Sequence, residues 1–299
     1  MQLTVVMKFR IAAALAAGIV VIGFGAWPLV ASHEPMVTVF IDIITPMTAI
    51  ILVALAVFVG FIGYFLAWPY GKEIAGLAVP AGLAVWAIRS ANMTKLMLAN
   101  QTIQQRQQIF ATFTWEPIFW LIVVFAGFGG VKIAQKISPQ KELDEDFETK
   151  SGTNLKKYIN SAIAVVGSVL IGQILIGILA QDFRLPDTVL GSVVAQPATA
   201  QIVFAVLLAF GVAAFLVKLL LNAAYIWPIV AAAITTALVS FACKRQDLLQ
   251  RLMDRHPLVF FSDVIAAILP IQMIAFAAMG AIAGYWLAIR YQYWRIHGI

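Results

Sequence analysis

The sequence predicts an all-α polytopic membrane protein, a transmembrane bundle of about eight spans with polar helical segments outside the bilayer. Three observations carry this. Hydrophobic residues make up 62% of the 299-residue chain and charged residues 11%, far below the roughly 25% charged of a soluble domain. The apolar residues gather into eight segments. The 20 Lys and Arg stand singly between those segments, as topology signals and snorkelling anchors do. They form no basic block, so the net charge of +6 points to the membrane and not to nucleic acid.

The first segment, Ile11 to Leu29, follows Lys8 and Arg10 and is longer than a signal-peptide core, so it is expected as a retained first span. The second covers 44–68. The third, inside "GKEIAGLAVPAGLAVWAIRS", has fifteen uncharged residues between Glu73 and Arg89. They cover about 22 Å against a hydrocarbon core of roughly 30 Å. Counting Lys72 and Arg89 as snorkelling ends brings the segment to about 27 Å. Without it, the charged tract 138–158 would share a side with the loop "ASHEPMVTVFID", which has no Lys or Arg. It is therefore read as a third span, bent at Pro80.

Residues 92–110 are too polar for the bilayer core and predict a helix outside it, with Leu96, Ala99, Ile103 and Phe110 on one stripe. That stripe must cover the bundle, the lipid interface or another protein, and it is the candidate partner surface. The fourth span covers 117–134. Its preceding "TWEP" reads as a helix N-terminus, with Thr114 as cap and Glu116 favoured by the dipole; "FSDV", with Ser262 and Asp263, reads the same way before the last span. Residues 138–158 hold Glu142, Asp144, Glu145, Asp146 and Glu148 ahead of Lys150, Lys156 and Lys157, a solvated linker. Spans five to eight cover 159–180, 200–221, 224–242 and 264–289. A tight turn near Asn222 is required, because one helix from Ala200 to Cys243 would be about 66 Å long, twice a bilayer. Residues 244–261 could supply a second polar helix.

Twelve Lys and Arg lie toward the side of the two termini and the linker, and eight toward the other. This favours both termini and the linker in the cytoplasm, in a bacterial-type cytoplasmic (inner) membrane. The chain also divides into comparable halves, 1–137 and 159–299, each with a short proline-bearing span, a polar helical stretch and a glycine-bearing long span ("FAGFGG", "AMGAIAG"). An even number of spans per half would make these parallel repeats.

Chemistry is sparse. His33, His256 and His297 lie outside the expected spans, which excludes haem held by paired span histidines. No P-loop, dinucleotide fingerprint, HExxH or serine elbow occurs. No catalytic, cofactor or metal residue is assigned, and none is expected. The single Cys243 excludes an internal disulfide and reads as a small packed residue. The eight Trp, among them Trp86 and Trp120, lie mostly near span ends and resemble interfacial anchors. The candidate midplane positions are Pro80, Pro228 and Pro270, as points of backbone loosening, with Thr235, Thr236 and Gln272 as neutral polar groups. The leading expectation is a non-catalytic subunit or scaffold of a larger membrane complex, with lipids and other subunits or itself as partners. The alternative is a transporter or channel for a neutral, lipid-like or amphipathic solute.

Overall fold

The computed structural model describes residues 5–31, 44–69, 71–90, 92–138, 154–181, 183–187, 191–195, 197–255 and 264–297. The linker from 139 to 153 and the "FSDV" element lie outside the described residues.

Among the described residues seven helices are long and apolar enough to cross a membrane, and a shorter apolar helical stretch, Ala75–Arg89, stands third in order. In the first half, α1 (Val5–Gly18) continues as a π-helical turn (Ile19–Gly25), followed by α2 (Trp27–Val30). Then come α3 (Pro46–Leu66), the short α4 (Gly71–Ile74), a 3-10 turn, α5 (Ala78–Arg89), α6 (Met93–Ala99) and α7 (Ile103–Ile137). The second half has α8 (Asn154–Leu179), α9 (Thr199–Leu221), α10 (Ile226–Cys243), α11 (Gln246–Arg255) and α12 (Pro270–His297). A small antiparallel ribbon, β1 (Phe183–Asp187) on β2 (Gly191–Ala195), joins α8 to α9 and pairs Leu185 with Val193. Periodicity did not signal it, because each strand is only five residues long.

Backbone contacts fix the direction of each helix. A Cβ built at Gly280 would land on the Leu207 carbonyl oxygen, and one at Gly284 on that of Gly211. Four residues along α12 match four along α9, so these two helices run parallel. α3 and α7 are also parallel, since the Tyr64 hydroxyl near the end of α3 donates to Ser138 O at the end of α7 (2.7 Å) and Gly60 packs on Gly127 O. α1 and α5 are parallel as well: Gly18 lies on Ala78 O, and Gly82 on Gly18 O and Ile22. The short α5 thus runs back against α3 and restores the alternation that the parallel α3–α7 pair demands. Small residues at these contacts let backbones approach where lipid supplies no hydrophobic drive for helix association. Asn222 ends α9 in the left-handed region (φ 48°), the turn that separates α9 from α10. The first fifteen residues of α12 are almost all buried, because α9, α5, α10 and α7 all pack against it.

Several expectations need correction. Residues 92–110 are not one helix: Asn100 and Gln101 break it, and the part from Ile103 belongs to the 35-residue α7. "TWEP" is not a helix start but lies inside α7. The N-cap is Thr102, in a reciprocal capping box with Gln105, so the chain is already helical before Thr114, whose hydroxyl donates to Phe110 O (2.8 Å). Two of the three candidate prolines stand at helix starts and not at mid-span. Pro228 is the third residue of α10 and Pro270 the first of α12, where a missing N–H costs little, whereas Pro80 lies within the unbroken helical run Gly71–Arg89, three residues after its 3-10 turn (Ala75–Leu77). Pro117 is the one inside a long described helix. Trp86 and Trp120 are fully buried and do not anchor the interface.

Candidate functional site

The region that stands apart from plain span packing is the elbow between α6 and α7 and the polar layer beneath it. α3 is 21 residues long, about 31 Å, close to one hydrocarbon core. Its middle residue Ala56 lies against Gly127 of α7, which puts residue 127 near the midplane. The N-terminal end of α7, at Ile103, is then about 36 Å from the midplane, and roughly 20 Å of helix projects beyond the core.

α6 precedes this projection and is tied to it by Arg106. Asn92 caps it by accepting from Lys95 N (3.0 Å), and Met93, Leu96 and Met97 are buried against the chain's own core together with Phe110 and Phe113. Arg106, only 7% exposed, closes the elbow: its Nε donates to Asn100 O (2.9 Å) and its Nη2 to Met97 O (3.2 Å). These carbonyls end α6, where a cation is favoured by the dipole. Asn100 Nδ2 adds a bond to Leu96 O (2.9 Å). Lys95, Ala99, Gln101, Gln104, Gln105 and Gln108 are exposed around the outside.

Of the candidate partner stripe, Leu96 and Phe110 are therefore committed to the interior, while Ala99 is exposed and Ile103 half-buried. The helix break at Asn100 turns the two parts of the stripe differently.

Below the elbow lies Glu116, fully buried and about 16 Å from the midplane, level with the core's edge. Its Oε1 accepts from Trp120 Nε1, one turn on (2.8 Å). The Trp120 ring meets Trp86 edge-on (6.2 Å between centroids), and Trp86 Nε1 donates to Gly23 O in the π-helical turn (3.0 Å). Trp27 meets Trp86 (6.4 Å) and carries Arg89 over its ring (4.4 Å). This column ties α7, α5 and the first span together. Pro117 in α7 cannot donate a backbone hydrogen bond to the preceding turn, the usual origin of a kink. Sequence reasoning missed the column. Its signal was "EPIFW", with Trp four residues after Glu and hence on the same helix face.

The neutral polar midplane candidates bond to nearby backbone groups. Thr235 and Thr236 donate to Ala231 O (2.8 Å) and Ala232 O (3.0 Å) of their own helix. Gln272 bridges α12 to α5: its Nε2 donates to Ala87 O and its Oε1 accepts from Leu269 N, both at 3.2 Å. Pro80, Pro228 and Pro270 are buried. Cys243 is buried.

At the opposite end, the Tyr225 hydroxyl between α9 and α10 is pushed up to about 12 by burial and then by Tyr285, whose ring is 5.3 Å away. Compared with known proteins, the chain matches no family model, no curated protein and no solved structure.

Proposed function

We propose that this integral membrane protein is a non-catalytic subunit or scaffold of a larger membrane assembly, and that the α6–α7 elbow is the part it presents to its partner. The observation that carries this is Arg106. Burying a guanidinium is expensive unless it is bonded, and here it is bonded only to hold a seven-residue helix against α7. The result is a pre-organised platform whose exposed described residues are Lys95, Ala99, Gln101, Thr102, Gln104, Gln105 and Gln108. Pre-organisation lowers the ordering cost of association. The Lys and Arg asymmetry supports cytoplasmic termini, so the elbow faces the far side of the membrane. A photo-crosslinking residue at Ala99 should trap one protein reproducibly in intact cells, and the same residue at Phe58 on the outward face of α3 (51% exposed) should not. Identical products from both positions, or none from Ala99, would sink the reading.

Transport of a small solute is the second reading, and Glu116 is what favours it, since ionisable groups buried in membrane proteins mark ion and substrate paths. Under it, Glu116→Gln would abolish uptake or growth complementation without loss of folding. Under the subunit reading, the variant stays functional.

We also propose the internal duplication, 1–137 against 159–299. Arg10 of α1 donates to Trp68 O beyond the end of α3, and Asn160 of α8 to Leu221 O at the end of α9 (3.4 Å). Ala56, Gly60 and Gly127 pack as Leu207, Gly211 and Gly280 do. The pair α5–α12 corresponds to α10–α7, the exchange expected of a twofold axis along the membrane normal. Chains split inside the linker and co-expressed should reassemble; failure of the halves to associate would count against this.

A further inference from the structure

We infer that the outward face of α8 is where a second copy of this chain docks, with Gln173 of one copy bonded to Gln173 of the other. The span in α8, Tyr158–Leu179, is only 22% buried, against 72% for that in α12. α8 packs chiefly on α9 and α10, so its open side is distinct from the α6–α7 elbow. On that side Ile159, Ile163, Val166, Leu170, Gln173 and Gly177 recur at alternating steps of four and three residues, the seam of a left-handed helix pair. The four aliphatic members are between 48% and 60% exposed, Gly177 is exposed and Gln173 is half-buried.

An apolar seam alone would suit lipid equally well, and Gln173 is what decides. A Cβ built at Gly172 would touch the Phe210 ring (3.0 Å), and Phe210 stands at the middle of α9. Gln173 is therefore within about 7 Å of the midplane, well inside the hydrocarbon. No described residue donates to its amide or accepts from it. Lipid tails offer it nothing, and a polar group left unbonded at that depth is costly. The amide carries both donors and an acceptor, so a second Gln at the same height satisfies it reciprocally. A second copy supplies one there. Copies inserted by the same signals share an orientation, so their twofold axis runs along the membrane normal, α8 meets α8 in parallel and each residue of the seam meets itself. A single neutral polar residue in such a seam also fixes its register. Gly177, one turn on, has nothing within 4 Å of its Cβ position. Glycine weakens a helix, and here it leaves room for a neighbouring backbone, as small residues do where membrane helices meet.

The test uses the full chain with Cys243→Ser and one added cysteine, Val166→Cys, Leu170→Cys or, on the outward face of α3, Phe58→Cys. Oxidation in native membranes, read on non-reducing gels, should give disulfide-linked dimers from positions 166 and 170 and none from 58. In phosphatidylcholine vesicles, energy transfer between labelled copies at increasing lipid dilution should show Gln173→Leu associating about tenfold more weakly, the size of two average interhelical hydrogen bonds, with the melting of the monomer in detergent unchanged. Dimers from 58 as abundant as from 166, no dimers from either α8 position, or crosslinks only to a different protein would overturn the proposal, and so would undiminished association of Gln173→Leu. Should Gln173→Leu fail to fold, Gly177→Leu decides: it fills the seam from outside the chain's own packing, so tenfold weaker association supports the docking face and unchanged association refutes it.

Discussion

Replacing Gly284 with alanine isolates the contact that sets the α9–α12 geometry. A Cβ there would land on the Gly211 carbonyl oxygen and close to the Gly211 Cα (2.9 Å). A carbon–oxygen contact needs about 3.3 Å or more, and the obstacle is backbone, so no side chain can rotate away. The helices must separate by more than about an ångström. Overpacking of this kind costs 1–3 kcal/mol, here about 3, because separation also removes the dispersion contacts of the neighbouring Gly280. Helix propensity returns about 1 kcal/mol, for a net loss of about 2. Gly129 is the control: nothing lies within 4 Å of its Cβ position, and alanine there should gain about 1 kcal/mol from propensity alone. The two variants should therefore differ by about 3 kcal/mol, more than a hundredfold in the unfolding equilibrium at 1.4 kcal/mol per tenfold. Equilibrium unfolding in mixed micelles with increasing SDS measures this directly. Equal stability of the two variants would show that the close α9–α12 approach is not present in the protein.

Three further outcomes are expected. Arg106→Met removes two charge-assisted bonds to the end of α6, about 3 kcal/mol of local stability; amide exchange should speed up in residues 93–100 while α9 and α12 keep their protection. Thr235→Val removes only a bond within its own helix and keeps the volume, so stability should change by about 1 kcal/mol or less; a larger loss would mean that the hydroxyl serves another helix. Tyr225, raised to about 12, stays neutral in the folded chain after its unfolded counterpart begins to ionise near pH 10. Its contribution is complete below pH 10 and is lost as pH rises toward 12, so Tyr225→Phe should reduce the alkaline loss of stability, followed by equilibrium unfolding across that pH range.

The sequence by itself determined the class and the order of the apolar helices, because partition into a bilayer is a property of each segment and needs no knowledge of its neighbours. It also required the turn at Asn222, since no single helix from Ala200 to Cys243 fits one membrane. The polar and special residues were another matter. Thr114 and Glu116 carry the local pattern of a helix start, yet the capping box at Thr102 had already begun the helix, and the buried Glu116 accepts from Trp120 one turn on. Trp86 and Trp120 stand at segment ends along the chain, but tertiary packing turns them inward, where each finds a hydrogen-bond acceptor. Leu96, Ala99, Ile103 and Phe110 share a helical period, and with the break at Asn100, held by Arg106, Leu96 and Phe110 are buried while Ala99 is exposed. Which face of a membrane helix is buried cannot be read from polarity when both faces are apolar. Only backbone approach at glycines such as Gly60, Gly280 and Gly284, a long-range property, settles which helices meet and in which direction.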